Sequence, residues 1–207
     1  MTIPISVVEP VCLCCGECGT SFLWARATDL EYRTTTELFD ILGCNWCGSM
    51  FIHPVPADHL LDIYPPNYYS YTQSGNSFVH RIKNWLDKRY FRALLQSVRG
   101  GNLSALDIGG GAGLELNVLK KADSRIFFTQ VVDLAPDAEK FAVQNGHEYF
   151  CGRIEDFTST RTFDVILMLN LIEHVAHPLA ILERARALLS PRGIIIVKTP
   201  NIDSWDA

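Results

Sequence analysis

Two groups of residues in this chain have the types and the spacing to do chemistry. Cysteine pairs lie near the N-terminus, and a glycine-rich stretch follows a short apolar segment near the middle of the chain. Thiolates two residues apart can bind the same metal ion. Closely spaced glycines let the backbone turn sharply and approach a ligand. The sequence therefore predicts a metal site and a separate ligand-binding turn.

The predicted metal site uses two Cys-x2-Cys pairs separated by a segment of hairpin length, which together predict a zinc ribbon. Four thiolates close a tetrahedral coordination sphere, so the zinc would be structural rather than catalytic. The predicted ligands are Cys15, Cys18, Cys44 and Cys47. Cys12 lies three residues before Cys15, with two residues between them, and can replace Cys18; we favour Cys18 because Cys18-Gly19 mirrors Cys47-Gly48. The alternative is a set of free thiols in a small domain.

The glycine stretch joins a predicted strand, Ser104 to Ile108, to a predicted helix that begins at Leu114. A dinucleotide fingerprint requires glycine at its first, third and sixth positions, and Leu114 stands at the sixth. The helix N-terminus offers free N–H groups to a carboxylate or a phosphate. The glycines of this chain do not follow the dinucleotide fingerprint. They occupy alternate positions: Gly109, Gly111 and Gly113.

Strands and helices alternate through the rest of this half of the chain, which predicts an α/β, Rossmann-like, doubly wound parallel sheet. Such sheets bind ligands at the carboxyl ends of their strands. Asp133 ends the second predicted strand, about twenty residues after the glycine turn, where a carboxylate accepts hydrogen bonds from a ribose diol. The alternative role for Asp133 is to cap the helix that begins at Pro136.

The glycine turn, preceded by Leu-Asp-Ile, resembles motif I of the class I S-adenosylmethionine (SAM) methyltransferases. Glu173-His174-Val175 after the fourth strand is similar to a segment of the ubiquinone-type O-methyltransferases, and Pro200-Asn201 after the fifth strand is another feature of that family. His177 stands where the family usually has aspartate. The cysteine knuckles, a Pro-x-Pro and a Tyr-Tyr resemble members that carry an N-terminal zinc ribbon.

This resemblance implies SAM as cofactor and methyl transfer to a small-molecule acceptor, a hydroxyl of a sugar or a secondary metabolite. It implies that an acidic residue after the third strand, Glu155 or Asp156, binds the adenine amino group; we favour Glu155. His174 is the proposed base, with Glu173 orienting it or binding a divalent metal with it, and its alternative is a packing role. The implied cofactor-binding residues are Asp107, Gly109, Gly110, Gly111, Gly113, Asp133, Leu134, Ile154, Glu155 and Asn170.

The sequence divides into three predicted regions: a zinc-ribbon module over 1–56, a linker over 57–100 and a methyltransferase domain over 101–207. The linker ends in an amphipathic helix, 78–98, whose apolar positions are Ile82, Trp85, Leu86, Tyr90 and Leu94. Its preceding tyrosines are expected either to form a lid or to pack as a linker. Family members continue through two further strands, so we expect a truncated sheet whose C-terminal edge strands are missing or whose edge another chain covers.

A formal net charge of -5 gives the chain no broad attraction to a phosphate backbone, which argues against nucleic acid as partner. No signal peptide is evident, and no apolar run approaches the length needed to span a membrane. We therefore expect a cytoplasmic enzyme without a membrane partner. Two alternatives remain: an RNA base methyltransferase, and a SAM-binding but inactive scaffold protein.

Overall fold

The computed structural model describes residues 10–30, 33–56, 78–201 and 204, except the side chains of 78–80. The chain divides into two compact units, one containing a three-stranded sheet and the other a five-stranded sheet. The aromatic linker segment Tyr64–Tyr71, for which a lid was one expectation, lies outside the described residues. Within the described ranges, none of the helices is long and apolar enough to cross a membrane.

The N-terminal unit is built on an antiparallel sheet in the order β1-β2-β3. The strands are β1 (Ser21–Ala27), β2 (Phe39–Cys44) and β3 (Met50–His53). A register shift interrupts the β1–β2 pairing between Leu23 and Ala25. Residues on β1 are exposed or half-buried, so the apolar core of this small sheet is limited to a few residues of β2, among them Phe39 and Leu42.

The second unit is a parallel sheet in the order β6-β5-β4-β7-β8. Its strands are β4 (Leu103–Ile108), β5 (Ile126–Asp133), β6 (Glu148–Cys151), β7 (Phe163–Leu169) and β8 (Leu189–Lys198). The helices are α1 (Phe78–Leu95), α2 (Leu114–Ala122), α3 (Pro136–Gln144) and α4 (Pro178–Leu188). The order reverses between β4 and β7, where a doubly wound sheet opens a crevice for ligands. The predicted fold class is confirmed.

Apolar side chains cover both faces of this sheet. On one face, residues of α1, α2 and α3 pack on the sheet around Leu116, Leu119 and Val165, which are fully buried. On the other face, α4 and the segment after β6 pack around Leu106, Ile166 and Met168. Burial on both faces explains why β4 and β7 read as nearly continuous apolar runs.

Two predictions about these elements need correction. Of the predicted apolar positions of α1, Leu94 packs against the core beside the buried Phe91 and Leu95, whereas the others are exposed: Ile82, Trp85, Leu86 and Tyr90. The helix carries two apolar stripes on opposite sides, so periodicity alone could not select the buried one. The sequence predicts a turn over 190–193 and a fifth strand that starts at Ile194. In the structure β8 begins at Leu189, which pairs with Phe163, and after a register shift the pairing with β7 resumes at Ile194.

Candidate functional site

The cysteine cluster is formed by two knuckles with the same backbone hydrogen bond. The N–H of Gly16 donates to the carbonyl of Cys12, and the N–H of Gly48 donates to the carbonyl of Cys44, both at 2.9 Å. Both glycines have a left-handed φ, of 76° and 74°, which lets the chain turn back after the second cysteine. The two knuckles are therefore equivalent.

The sulfur atoms of Cys12, Cys15, Cys44 and Cys47 all lie within 4.8 Å of one another. The Sγ atoms of Cys12 and Cys47 are 3.6 Å apart, and those of Cys15 and Cys44 are 3.7 Å apart. Four sulfurs bound tetrahedrally to zinc at 2.3 Å would be separated by roughly 3.8 Å. The arrangement fits a zinc site with four cysteine ligands.

The preference for Cys18 as a ligand was wrong. Cys12 occupies that place and is buried, whereas the Cys18 thiol is exposed and lies near the carbonyl of Gly16. Sequence reasoning was misled because a glycine follows Cys15 as well as Cys18. Gly16, not Gly19, closes the first knuckle.

Electrostatics within the cluster favour thiolates on the second knuckle. Hydrogen bonds from the backbone N–H of Cys47 and from the Thr20 hydroxyl lower the pKa of Cys44 to about 6. Hydrogen bonds from Ser49 lower the pKa of Cys47. A lower thiol pKa makes the metal-binding form available near neutral pH.

The glycine turn follows β4 directly and leads into α2. Gly109, Gly111 and Gly113 all have a left-handed φ, of 74°, 51° and 72°, which side-chain-bearing residues adopt only at a cost. No side chain caps α2 at Gly113. The first N–H groups of the helix therefore remain available to a ligand.

Asp133, at the end of β5, holds this turn from the neighbouring strand. Its Oδ2 accepts a hydrogen bond from the N–H of Gly111 at 2.8 Å, and its Oδ1 accepts one from the N–H of Ala135 at 2.9 Å. Each carboxylate oxygen has a second lone pair. Asp133 can therefore position the turn and still accept hydrogen bonds from a ligand.

Asp107 lies underneath the turn. A Cβ atom on Gly110 would overlap its carboxyl group, so glycine is required there by space. Burial raises the pKa of Asp107 well above its usual range, and the nearby carboxyl groups of Glu115 and Asp133 add to the effect. The site thus contains a buried carboxyl group whose neutral form is favoured.

The segment after β7 closes the other side of the crevice. Asn170 is exposed and has a left-handed φ of 53°, and its N–H donates to the carbonyl of Lys198 at 2.7 Å. This bend leads into a short 3-10 helix, Ile172–His174. The Leu171 side chain approaches the Cβ position of Gly109 at 3.0 Å, which places this segment against the glycine turn.

His174 and Glu173 lie together in that 3-10 helix, with His174 Nε2 3.9 Å from Glu173 Oε1. The His174 backbone N–H donates to the carbonyl of Leu171 at 2.9 Å. The histidine is half-buried, so a substrate-sized molecule could reach its ring. The geometry permits Glu173 to orient His174.

The segment after β6 contains the predicted adenine contacts. Ile154 is buried, while Glu155 is exposed, as is Leu134 after β5. Arg184 of α4 donates to the carbonyls of Ile154 and Phe157, which fixes this segment to α4. The predicted site residues thus follow four consecutive strands, β6, β5, β4 and β7, at one edge of the sheet.

Sequence reasoning missed three residues that touch the glycine turn: Asn145, His147 and Leu171. Their neighbours in sequence give no signal, because the contacts arise only when the loops after α3 and β7 are folded against the turn. Arg184 was missed for the same reason.

Comparison with known proteins identifies the family. Residues 78–207 match the model of the family described as "Methyltransferase domain". Because the match covers more than half of the chain, the protein belongs to this family.

Ubiquinone biosynthesis O-methyltransferases are among its relatives. That of Bradyrhizobium diazoefficiens is 31% identical over 104 residues, which cover 49% of this chain and 41% of the relative. That of Bradyrhizobium sp. is 35% identical over 107 residues, covering 48% and 40%. The enzyme of Actinobacillus pleuropneumoniae is 33% identical over 108 residues, covering 46% and 45%. The matched region spans less than half the length of these relatives.

Solved structures give weaker matches. A plantazolicin methyltransferase in complex with SAH has a TM-score of 0.49 at 23% identity, covering 56% of this chain and 46% of its own. A sugar N-methyltransferase from Streptoalloteichus has a TM-score of 0.49 at 17% identity, covering 61% and 55%. The family assignment depends on the sequence match and not on these structures.

Proposed function

We propose that this protein binds SAM at the glycine turn and transfers its methyl group to a small-molecule acceptor. The observation that carries the proposal is the hydrogen bond from Gly111 to Asp133, which joins three left-handed glycines to a carboxylate at the end of the adjacent strand. Membership of the methyltransferase domain family and similarity to O-methyltransferases support it. A hydroxyl of a sugar or a secondary metabolite is the proposed acceptor.

Different residues of the chain would contact different parts of SAM. Asp133 would accept hydrogen bonds from the ribose hydroxyls, while the glycine turn lets the ligand approach the backbone and the α2 N-terminus. Ile154 would contact the adenine ring, and Glu155 would accept from its amino group. When bound, SAM supplies an electrophilic methyl carbon, so the protein's main task is to align the acceptor and exclude water.

Calorimetric titration with S-adenosylhomocysteine (SAH) tests the cofactor site. Replacement of Asp133 by asparagine or alanine should weaken binding by about 1–3 kcal/mol, the scale for hydrogen bonds to a charged group. Asp137→Asn, an exposed carboxylate in the first turn of α3, is the matched control and should leave affinity unchanged. If the unaltered protein is folded and does not bind SAH, the proposed function fails.

We propose His174 as the general base that removes the acceptor's hydroxyl proton, with Glu173 orienting the imidazole. An imidazole can accept a proton, and His174 follows β7 in the same 3-10 segment whose Leu171 lies against the glycine turn. His174→Gln should lower turnover by roughly 10²–10⁴-fold while leaving SAH affinity unchanged. The assay is transfer of a labelled methyl group from SAM to a panel of sugars and hydroxylated aromatic compounds. Equal turnover by the variant would return His174 to a packing role.

We also propose that the four clustered cysteines hold a structural zinc ion. The sulfur separations support this ligand set, which leaves no open coordination position for a substrate. Metal analysis of the purified protein should give one zinc per chain. A folded N-terminal sheet without metal would contradict the proposal.

A further inference from the structure

The loop between α3 and β6 grips the far end of the glycine turn through two side chains. Asn145 donates from Nδ2 to the carbonyl of Ala112 at 3.0 Å. Two residues later, the imidazole of His147 lies against Gly113. The two contacts thus reach Ala112 and Gly113, the two residues directly before α2.

The His147 ring fills the space that a side chain on Gly113 would need. A Cβ atom built on Gly113 would lie 3.0 Å from Nε2 and 3.2 Å from Cγ of His147, and closer still to Cδ2. Gly113 therefore has two reasons to be glycine: its left-handed φ and the imidazole beside it. This close packing limits the positions that the turn can adopt.

The histidine is itself fixed from the sheet. Its Nδ1 lies 2.8 Å from Oγ1 of Thr129, a buried residue of β5, and its backbone N–H donates to the carbonyl of Ala142. The side chain is 4% exposed. Within the described residues its buried Nε2 makes no hydrogen bond of good geometry, and the backbone of Gly113 is the polar group that it faces.

A packing role alone does not account for that choice of residue. A buried nitrogen with poor hydrogen-bond geometry is costly, and an apolar side chain of similar shape would remove it, although the buried Thr129 hydroxyl would then lose its contact with Nδ1. Buried groups that lower stability are common where a binding site needs a fixed geometry.

We propose that Asn145 and His147 are positioning residues for the cofactor site. Together with Asp133 on the other side, they hold Gly111, Ala112 and Gly113 so that the N–H groups at the start of α2 face the ligand. Neither residue needs to touch SAM. This inference rests on the proposed function of the glycine turn and extends it to a loop that follows a different helix.

Asn145→Ala should weaken SAH binding by roughly three- to tenfold, because one hydrogen bond that holds the Ala112 carbonyl is lost. His147→Ala should weaken it by a similar factor, because Gly113 loses its packing partner. The readouts are calorimetric SAH affinity and the NMR amide signals of Gly111 and Gly113. In the variants, these two signals should shift or broaden before any ligand is added.

Leu188→Ala is the control for general loss of stability. Leu188 is buried in the core on the other face of the sheet, so its truncation destabilises the unit without touching the turn. It should leave SAH affinity and both glycine signals unchanged at a temperature where every variant is folded. If it weakens binding as much as Asn145→Ala does, the loop residues act only through stability.

Gly113→Ala supplies a reciprocal test. Alone, it should weaken binding more than either loop variant, because the new methyl group meets the imidazole and the backbone is strained. Combined with His147→Ala, it should recover part of that loss, because the ring no longer occupies the space. Strictly additive losses would contradict the direct contact, and SAH binding by all variants equal to the unaltered protein would overturn the proposal. Failure of the unaltered protein to bind SAH would instead refute the proposed function.

Discussion

The cysteine cluster and the glycine turn are both binding sites built around glycine-containing turns, yet they are held in place differently. The cluster depends on four side chains, two from the turn before β1 and two from the end of β2 and the turn that follows it. The glycine turn is backbone, fixed by β4, β5 and a core that is buried on both faces of the sheet. We expect the first site to need its metal for stability, whereas the hydrogen bonds of the second already fix the turn without a ligand.

The largest effect should come from removing the metal. Structural zinc contributes about 10–16 kcal/mol in zinc-finger peptides, and the small N-terminal sheet has little core to replace it. Chelation of the proposed zinc should therefore abolish the dispersed NMR signals of β1, β2 and β3. The Cys12→Ser variant should behave in the same way.

Cys18→Ser is the matched control, because Cys18 is exposed and outside the cluster. It should retain one zinc per chain and the ordered sheet. Loss of zinc from Cys18→Ser, with retention in Cys12→Ser, would restore the ligand set expected from the sequence. If the N-terminal sheet stays folded after chelation, the cysteine cluster does not depend on its metal, and the two sites no longer differ in this respect.

The sequence predicted the glycine turn well because its determinants are local. Alternate glycines, an apolar strand before them and a helix after them are all adjacent in the chain, and Asp133 follows at the spacing of one strand-helix-strand unit. The cysteine register could not be predicted in this way. Cys15-Gly16 and Cys18-Gly19 satisfy the same local rule, and only the fold decides which pair meets Cys44 and Cys47.

Contacts between distant loops were also beyond the sequence. Asn145 and His147 reach the turn from a loop more than thirty residues away in the chain, and nothing in their neighbourhood marks them. In α1 the sequence does carry a periodic apolar signal, but most of the residues that carry it are exposed. Its apolar periodicity is genuine, but the helix packs through Phe91 and Leu95 on the opposite side.

The pH dependence of stability tests how His147 holds the glycine turn in the absence of a ligand. Burial lowers the pKa of His147 from 6.5 to about 4, the positive charge of Lys120 adds to the shift, and the Gly113 backbone opposes it. Between these values the unfolded chain binds a proton that the folded protein excludes. Stability should therefore fall by up to roughly 3 kcal/mol as the pH is lowered through this window.

Urea unfolding of the unaltered protein and His147→Leu checks this expectation. The variant should lose that part of the pH dependence and show a flatter stability profile below neutral pH. Parallel profiles for the two proteins would mean that His147 has the same pKa in the folded and unfolded states, so that it gains a proton in the folded protein below neutral pH. The turn would then be held by a charged histidine, which the structure does not favour.

The smallest predicted change concerns the buried Asp107 carboxyl under Gly110. Its pKa is raised above the ordinary 3.8, so the folded protein keeps a proton that the unfolded chain releases. Stability should decline as the pH rises through that interval. Asp107→Asn should therefore raise the free energy of unfolding by about 1–2 kcal/mol near neutral pH, with little change near pH 4.

The matched control is Asp164→Asn, because that carboxylate accepts hydrogen bonds from Ser104 and Ser190 and should be stabilising. If Asp107 binds the cofactor, as the family resemblance implies, Asp107→Asn should bind SAH more weakly although it is more stable. If Asp107→Asn is more stable and binds SAH more weakly, the site keeps the destabilising Asp107 carboxyl group because the ligand needs it. A variant that is less stable and binds SAH normally would make Asp107 a structural residue and leave Asp133 as the main acidic contact.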